Sequence, residues 1–361
     1  MSEDTPWPSP RLNGHLFGHE TAEAQFLDAW TSQRLAHAWL ITGPRGVGKA
    51  TLAYRIARFV LSGGGEGGGL FGGPPDSLAM DGDHPVFRRI ATGGLTDLRV
   101  VERGYSDDKQ TKLRSEIVVD DVREIGSFLS LTPAEGGWRV VLVDAADEMN
   151  RNAANALLKV LEEPPARALL LLVCHAPGRL LPTIRSRCRS LVLSPLDDRA
   201  VEDLLTRYRP DMSAEDRRVL TTLSEGSPGR ALALEEQGGL ELYRAMLGLL
   251  SGLPRLDVPA LHNFAETVGK GADSFRTAGE LLLWWLARLI KARGRGEVPF
   301  ALLAGEAEAM ARLIGAGSLD QWVEVWENIT QGFARTEALN LDRKQVMLSA
   351  FSSLESVVAR T

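Results

Sequence analysis

Gly43-Pro44-Arg45-Gly46-Val47-Gly48-Lys49-Ala50-Thr51 has the residue types and spacing of a loop that cradles phosphate. Glycines at 43, 46 and 48 let the backbone curl so that its N–H groups point inward. A helix opening at Lys49 would add positive potential for phosphate oxygens. Lys49 is spaced to reach terminal phosphates, with the backbone of Val47, Ala50 and Thr51 completing the candidate cradle. In the full pattern a Ser or Thr follows the lysine directly and holds magnesium. Here Ala50 stands in that place and Thr51 comes one residue late. One step along a helix turns a side chain by about 100°, so Thr51 does not substitute. The stretch suits holding a nucleotide better than hydrolysing one. The plainer alternative is a Gly-rich turn between strand and helix that binds nothing.

Arg139-Val140-Val141-Leu142-Val143-Asp144 is an apolar run ending in a carboxylate, as expected of a central strand whose last residue reaches toward magnesium. Ala145 follows, where many ATPases of this kind place a water-activating glutamate. Asp147 and Glu148 lie further along and would need unusual geometry to do that work.

Two arginine-bearing stretches are further candidates. Leu181 to Arg189 carries arginines at 185, 187 and 189, and one of them could cross an interface to a neighbour's phosphate. Ordinary surface ion pairs are the alternative. Glu225-Gly226-Ser227-Pro228-Gly229-Arg230 places Arg230 at the start of a helix, either as a phosphate sensor or beside a simple Ser-Pro-Gly cap.

The elements that must position these residues read as an α/β three-layer core from Gln25 to about Leu196. Strands are expected at Ala38 to Ile41, Ile117 to Val119, Val140 to Val143, Ala168 to Val173 and Ser190 to Leu193. Leu52, Ile56 and Phe59 stripe the helix after the loop. Ala154, Leu157, Leu158 and Leu161 stripe another, which Pro164-Pro165 stops. Ser62 to Pro75 is a Gly-rich surface excursion with little to bury. Beyond Pro195 the patterns turn helical, with stretches at Glu280 to Ile290, Leu319 to Ile329 and Arg343 to Val358. Trp284, Trp285, Trp322 and Trp326 read as interhelical anchors rather than base-stacking platforms, since no basic stripe accompanies them.

At 361 residues the length suggests two or three domains. The formal charge of −6 argues against a broad non-specific grip on nucleic acid. Cys174 and Cys188 are too few for a disulfide scaffold or a four-cysteine zinc site, and His84 has no companion ligands at metal spacing. Leu281 to Leu286 is too short for a membrane span and no signal peptide is apparent, so a cytoplasmic setting with no membrane contact is expected.

The chain resembles the delta-prime subunits of bacterial DNA polymerase III clamp loaders, which are AAA+ proteins. The likeness is carried by Leu16-Phe17-Gly18-His19, Arg34 to Trp39, Gly43 to Thr51, Asn152-Ala153-Ala154-Asn155-Ala156-Leu157-Leu158-Lys159-Val160-Leu161-Glu162-Glu163-Pro164-Pro165 and Ser186-Arg187-Cys188. It implies an AAA+ P-loop core over residues 1–195 with an insertion at about 62–82, a helical lid over 196–240 and an all-α collar over 241–361. It implies a largely rigid, non-catalytic or weakly catalytic member of a hetero-pentameric ring. Its partners there would be clamp-loader ATPase subunits and the delta subunit, with the sliding clamp and primer-template DNA engaged through the assembly. Arg187 would act in trans on a neighbour's ATP. Lys49, Asp144, Cys174 and Arg230 map onto the loop lysine, the acidic strand end, the sensor-one neighbourhood and the lid sensor. ATP or ADP, with or without Mg2+, is the expected ligand. No zinc is expected, because the Gly-rich excursion stands where many relatives carry a four-cysteine module. An intrinsic ATPase or polymerase activity is not expected. The competing readings are an active ATP-hydrolysing clamp-loader subunit or DNA motor, and a standalone nucleotide-binding regulatory module.

Overall fold

The computed structural model describes residues 7–64, 75–106, 113–134, 137–339 and 341–359. Most of the Gly-rich excursion, residues 65–74, lies outside them. Two compact units are present: Met1–Ala200 with Gly226–Gly229, and Val201–Glu225 with Arg230–Thr361.

The first unit is built on a five-stranded parallel sheet. Its strands are β1 (Ala38–Thr42), β2 (Leu98–Glu102), β3 (Arg139–Asp144), β4 (Ala168–Cys174) and β5 (Arg189–Val192), in the order β2-β3-β4-β1-β5. The three central strands are buried on both faces, which is why they read as unbroken apolar runs. Successive side chains alternate between two cores. Trp39, Ile41, Leu142 and Leu171 join Phe26 of α1 (Glu20–Thr31) and Leu52, Ile56 and Phe59 of α2 (Lys49–Leu61) on one face. Leu40, Val141, Val143 and Leu172 meet α4 (Val119–Ser130) and α5 (Arg151–Glu162) on the other, through Ile125, Leu157 and Leu161. A short helix, α3 (Pro85–Ala91), has His84 as its N-cap, with the ring nitrogen accepting from Val86 N–H.

One expected strand is not a strand. Ile117 makes a single bridge to Met149, and Val119 opens α4, where the Asp121 carboxylate accepts the Val118 N–H. The local capping interaction outcompetes the β preference of that short β-branched run. The place beside β3 is taken instead by β2, an edge strand that leaves Arg99 and Glu102 exposed. A strand half open to water has no reason to be apolar throughout.

The helix α5 begins at Asn150, whose side chain accepts the Ala153 N–H at 2.9 Å, and ends before Pro164-Pro165. A short α6 (Pro182–Arg185) leads into β5.

The second unit is all helical: most of α7 (Asp198–Tyr208), α8 (Ala214–Ser224), most of α9 (Pro228–Glu236), then α10 (Gly239–Gly252), α11 (Val258–Gly269), α12 (Ala272–Arg295), α13 (Glu306–Gly315), α14 (Leu319–Leu339) and α15 (Arg343–Ala359). Trp285 and Trp322 are fully buried, and the Trp322 indole donates to the Ala316 carbonyl at 2.8 Å. Trp326 donates to the Leu283 carbonyl at 3.3 Å, and Trp284 packs edge-on against Tyr243. These tryptophans are therefore interhelical anchors.

Glu306 is 1% exposed, yet its carboxylate accepts from the Tyr243 hydroxyl at 2.7 Å, from Arg288 at 2.6 Å and from the Leu302 N–H at 2.5 Å. Removing that carboxylate strands Arg288, which is itself largely buried. Glu306→Ala is expected to lower stability by about 3 kcal/mol, read as a reduced urea midpoint in tryptophan fluorescence.

Candidate nucleotide-binding site

Strand β1 delivers the chain into the loop at Thr42, and α2 carries it away at Lys49. Gly43, Gly46 and Gly48 have φ of +147°, +78° and +108°, conformations that side chains disfavour. At Gly43 space forbids one as well, since a Cβ would lie 2.3 Å from the Leu193 carbonyl oxygen. The Nε2 of His19, the N-cap residue of α1, donates to the Val47 carbonyl at 2.7 Å, which gives the Leu16-Phe17-Gly18-His19 stretch a structural role in shaping the loop.

Lys49 is 3% exposed and its ammonium donates to the carbonyls of Gly43 at 2.7 Å and Pro44 at 2.5 Å. Burial lowers its pKa to about 8 against the pull of Asp144, so it remains mostly charged at neutral pH. Asp144 ends β3 directly opposite Glu102 at the end of β2. Burial first, then the neighbouring Glu102, raises its pKa to about 6. Both carboxylates line a cavity of about 320 Å3 with Arg45, Arg103, Ala145 and His175. Burial and the cations Lys49 and Arg45 push His175 down to about 4, leaving a neutral imidazole at physiological pH.

Both acidic residues that follow Ala145 are engaged by neighbouring groups. The Asp147 carboxylate accepts the N–H groups of His175 at 2.8 Å and Ala176 at 3.0 Å. Burial opposes its charge, but those hydrogen bonds hold its pKa below the ordinary value. Glu148 is engaged by Arg45 at 2.5 Å and Arg103 at 2.8 Å. Cys174 ends β4 fully buried, and burial lifts its thiol to about 12, as it does for the partly buried Cys188, which disfavours the thiolate form of both.

The first unit thus gathers Gly43, Gly46, Val47, Gly48, Lys49, Ala50, Thr51 and Asp144. Thr51 faces the interior and is 8% exposed. Arg187 follows α6, where its guanidinium donates to the Thr183 carbonyl at 3.0 Å and pairs with Glu162 at 2.8 Å. Arg230 belongs to the second unit and pairs with Glu225 at 2.7 Å. The sequence reading missed Glu102, Arg103 and His175. The alternation Leu98-Arg99-Val100-Val101-Glu102, ending in a carboxylate as β3 does, was the available signal. Among the described residues, no three His, Cys, Asp or Glu side chains converge to hold a metal.

A carboxyl whose pKa is raised on folding, here from 3.8 to about 6, holds its proton more tightly in the folded chain. Its contribution to stability therefore declines as pH rises through that window, and the deficit is complete at pH 7. Asp144→Asn is expected to stabilise the protein by about 3 kcal/mol at pH 7.5, with the gain vanishing near the acid end of that window. Thermal unfolding of both forms across the pH range checks this.

A parallel sheet in this order, with a glycine loop and helix after β1 and a carboxylate ending β3, defines an AAA+ P-loop fold. A model of the family described as "DNA polymerase III, delta subunit" matches residues 18–197. DNA polymerase III subunit delta' of Pseudomonas aeruginosa is 39% identical over 204 residues, covering 56% of this chain and 57% of that protein. The subunit of the same name from Escherichia coli is 36% identical over 199 residues, covering 55% and 54%. A gamma-subunit-related protein of Thermotoga maritima has a TM-score of 0.44 at 15% identity, covering 92% of this chain and 99% of its own. Through residues 18–197 the chain belongs to the DNA polymerase III delta-prime family. It spans about half the length of the relatives named delta'.

Proposed function

We propose that this protein is a nucleotide-holding, largely non-hydrolysing clamp-loader subunit that supplies Arg187 to the ATP site of a neighbour. On this reading residues 1–195 are the AAA+ core, 196–240 a helical lid and 241–361 a collar in a hetero-pentameric ring with clamp-loader ATPases and the delta subunit. The ring would act in the cytoplasm, placing the sliding clamp on primer-template DNA. Among the described residues no helix is long and apolar enough to cross a membrane.

The observation that carries the reading is the occupancy of the position after Asp144. Ala145 has no base to offer, Asp147 is committed to two backbone N–H groups, and Glu148 is committed to two arginines. Support for phosphate binding comes from the glycine-rich loop with its positive φ angles and from Lys49 at the start of α2, with Arg230 as the candidate lid sensor. The donor set suits magnesium less well, since Asp144 is one carboxylate and Ala50 has no hydroxyl. A bound ion there would neutralise phosphate charge. Arg187 and Glu162 are both substantially exposed, so their ion pair is worth at most about 1 kcal/mol and can yield to a neighbour's phosphate.

Glu102 favours a second reading, intrinsic hydrolysis, because it is a carboxylate beside Asp144 on the cavity wall. ATP turnover by the chain alone and by a reconstituted ring separates the two. Turnover confined to the ring is the expected result. Robust turnover by the isolated chain, lost on Glu102→Gln, would establish the second reading instead. In the ring, Arg187→Ala is expected to leave assembly intact and reduce turnover at the neighbouring site by about 1000-fold, in line with other trans-acting arginines. Unchanged site-resolved turnover would remove Arg187 from that role.

A further inference from the structure

We propose that Ser227 to Gly229 form a clasp that presets the phosphate loop, and thereby its affinity for nucleotide phosphates; the second half of this rests on the nucleotide-binding reading above. These residues fold with the first unit, although they lie far along the chain from the loop. The Ser227 hydroxyl donates to the Arg45 carbonyl at 2.5 Å, and the Gly229 N–H donates to the Gly46 carbonyl at 2.9 Å. Ser227 is 3% exposed, so water does not compete for its bond.

The consequence follows from peptide planarity. In a trans peptide the carbonyl of one residue and the N–H of the next point in opposite directions. Fixing the carbonyls of Arg45 and Gly46 toward the clasp therefore fixes the N–H groups of Gly46 and Val47 away from it. Two of the candidate phosphate donors are oriented before any ligand arrives, and preorganisation of this kind raises affinity without a new contact.

The fit is tight enough to specify residue type. A Cβ at position 229 would lie 2.8 Å from Gly46 Cα and 3.0 Å from its carbonyl oxygen. The clasp is held from behind by the Leu196 N–H, which donates to the Gly226 carbonyl at 2.8 Å. A Cβ at Gly226 would meet the Leu196 carbonyl oxygen at 2.4 Å. Ser227 and Gly229 are thus positioning residues: they set the loop rather than touch the ligand.

The test uses the full chain, titrated with a fluorescent ATP analogue, together with amide hydrogen exchange in the absence of nucleotide. Ser227→Ala is expected to weaken binding about fivefold, the worth of one buried hydrogen bond. It should speed exchange at Gly46 and Val47 while leaving α5 unchanged. Gly229→Ala should weaken binding more than Ser227→Ala. Wild-type affinity and wild-type loop exchange in a folded Ser227→Ala protein would overturn the proposal. If Gly229→Ala does not fold, Ser227→Ala decides alone. If the wild-type chain binds no nucleotide, the nucleotide-binding reading fails, and the exchange comparison still decides whether the clasp sets the loop.

Discussion

The end of strand β1 leaves no room for a side chain, and the candidate site is arranged around that constraint. With β4 on one side and β5 on the other, Gly43 emerges against the Leu193 carbonyl, and the backbone must turn there with φ of +147°. Only glycine meets both demands. Once the turn is made, the loop is held by polar contacts to its own carbonyls: His19 on Val47, Ser227 on Arg45, Gly229 on Gly46 and Lys49 on Gly43 and Pro44. The loop's conformation is therefore a property of the whole first unit. Residues 19, 43 to 49 and 227 to 229 are distant in sequence, and the sheet brings them together.

Electrostatics at the same place follow from dryness. Lys49 and Asp144 are both shifted toward their neutral forms by burial, and each partly restores the other's charge. Glu102, facing Asp144 across the strand pair, works the other way. A site that keeps an ammonium among carbonyls and a carboxylate reluctant to ionise is costly to stability, as functional sites often are. The acidic residues that follow have been used structurally. Asp147 satisfies the backbone at the exit of β4, and Glu148 neutralises Arg45 and Arg103. The backbone hydrogen bonds to Asp147 hold its pKa below the ordinary value, which lowers its basicity, and the two arginines fix where the Glu148 carboxylate sits.

The second unit is held by a different means. Its helices meet through large aromatic side chains whose polar atoms find backbone partners, as with Trp322 and Trp326. Close approach is permitted where a small residue faces an aromatic one: a Cβ on Gly279 of α12 would come within 3.2 Å of Phe333 of α14. The buried Glu306 adds directionality, because only one arrangement of Tyr243, Arg288 and the turn at Leu302 satisfies its carboxylate. The first unit has a buried polar pair of its own at the start of β3, where Arg139 donates to the Phe128 and Thr132 carbonyls and lies 3.6 Å from Asp97.

Much of this was legible in the residues themselves. Strands buried on both faces must be apolar throughout, so β1, β3 and β4 announced themselves, and glycine spacing marked the loop because positive φ is forbidden to most side chains. The helical stripes of α2, α5, α12, α14 and α15 were equally plain, as was the absence of a hydroxyl at 50 and a carboxylate at 145. The edge strand β2 was not legible, since one exposed face removes the need for apolar residues, and the β-branched stretch at 117–119 invited the wrong choice. Nor could a chain read in order reveal that Glu102 faces Asp144, that Glu148 is spent on Arg45 and Arg103, or that Ser227 reaches Arg45. Local pattern determines which segments curl, extend or turn, because those preferences act over a few residues. Which distant side chains share one dry pocket is decided by sheet order and register, and those exist only when the chain has packed.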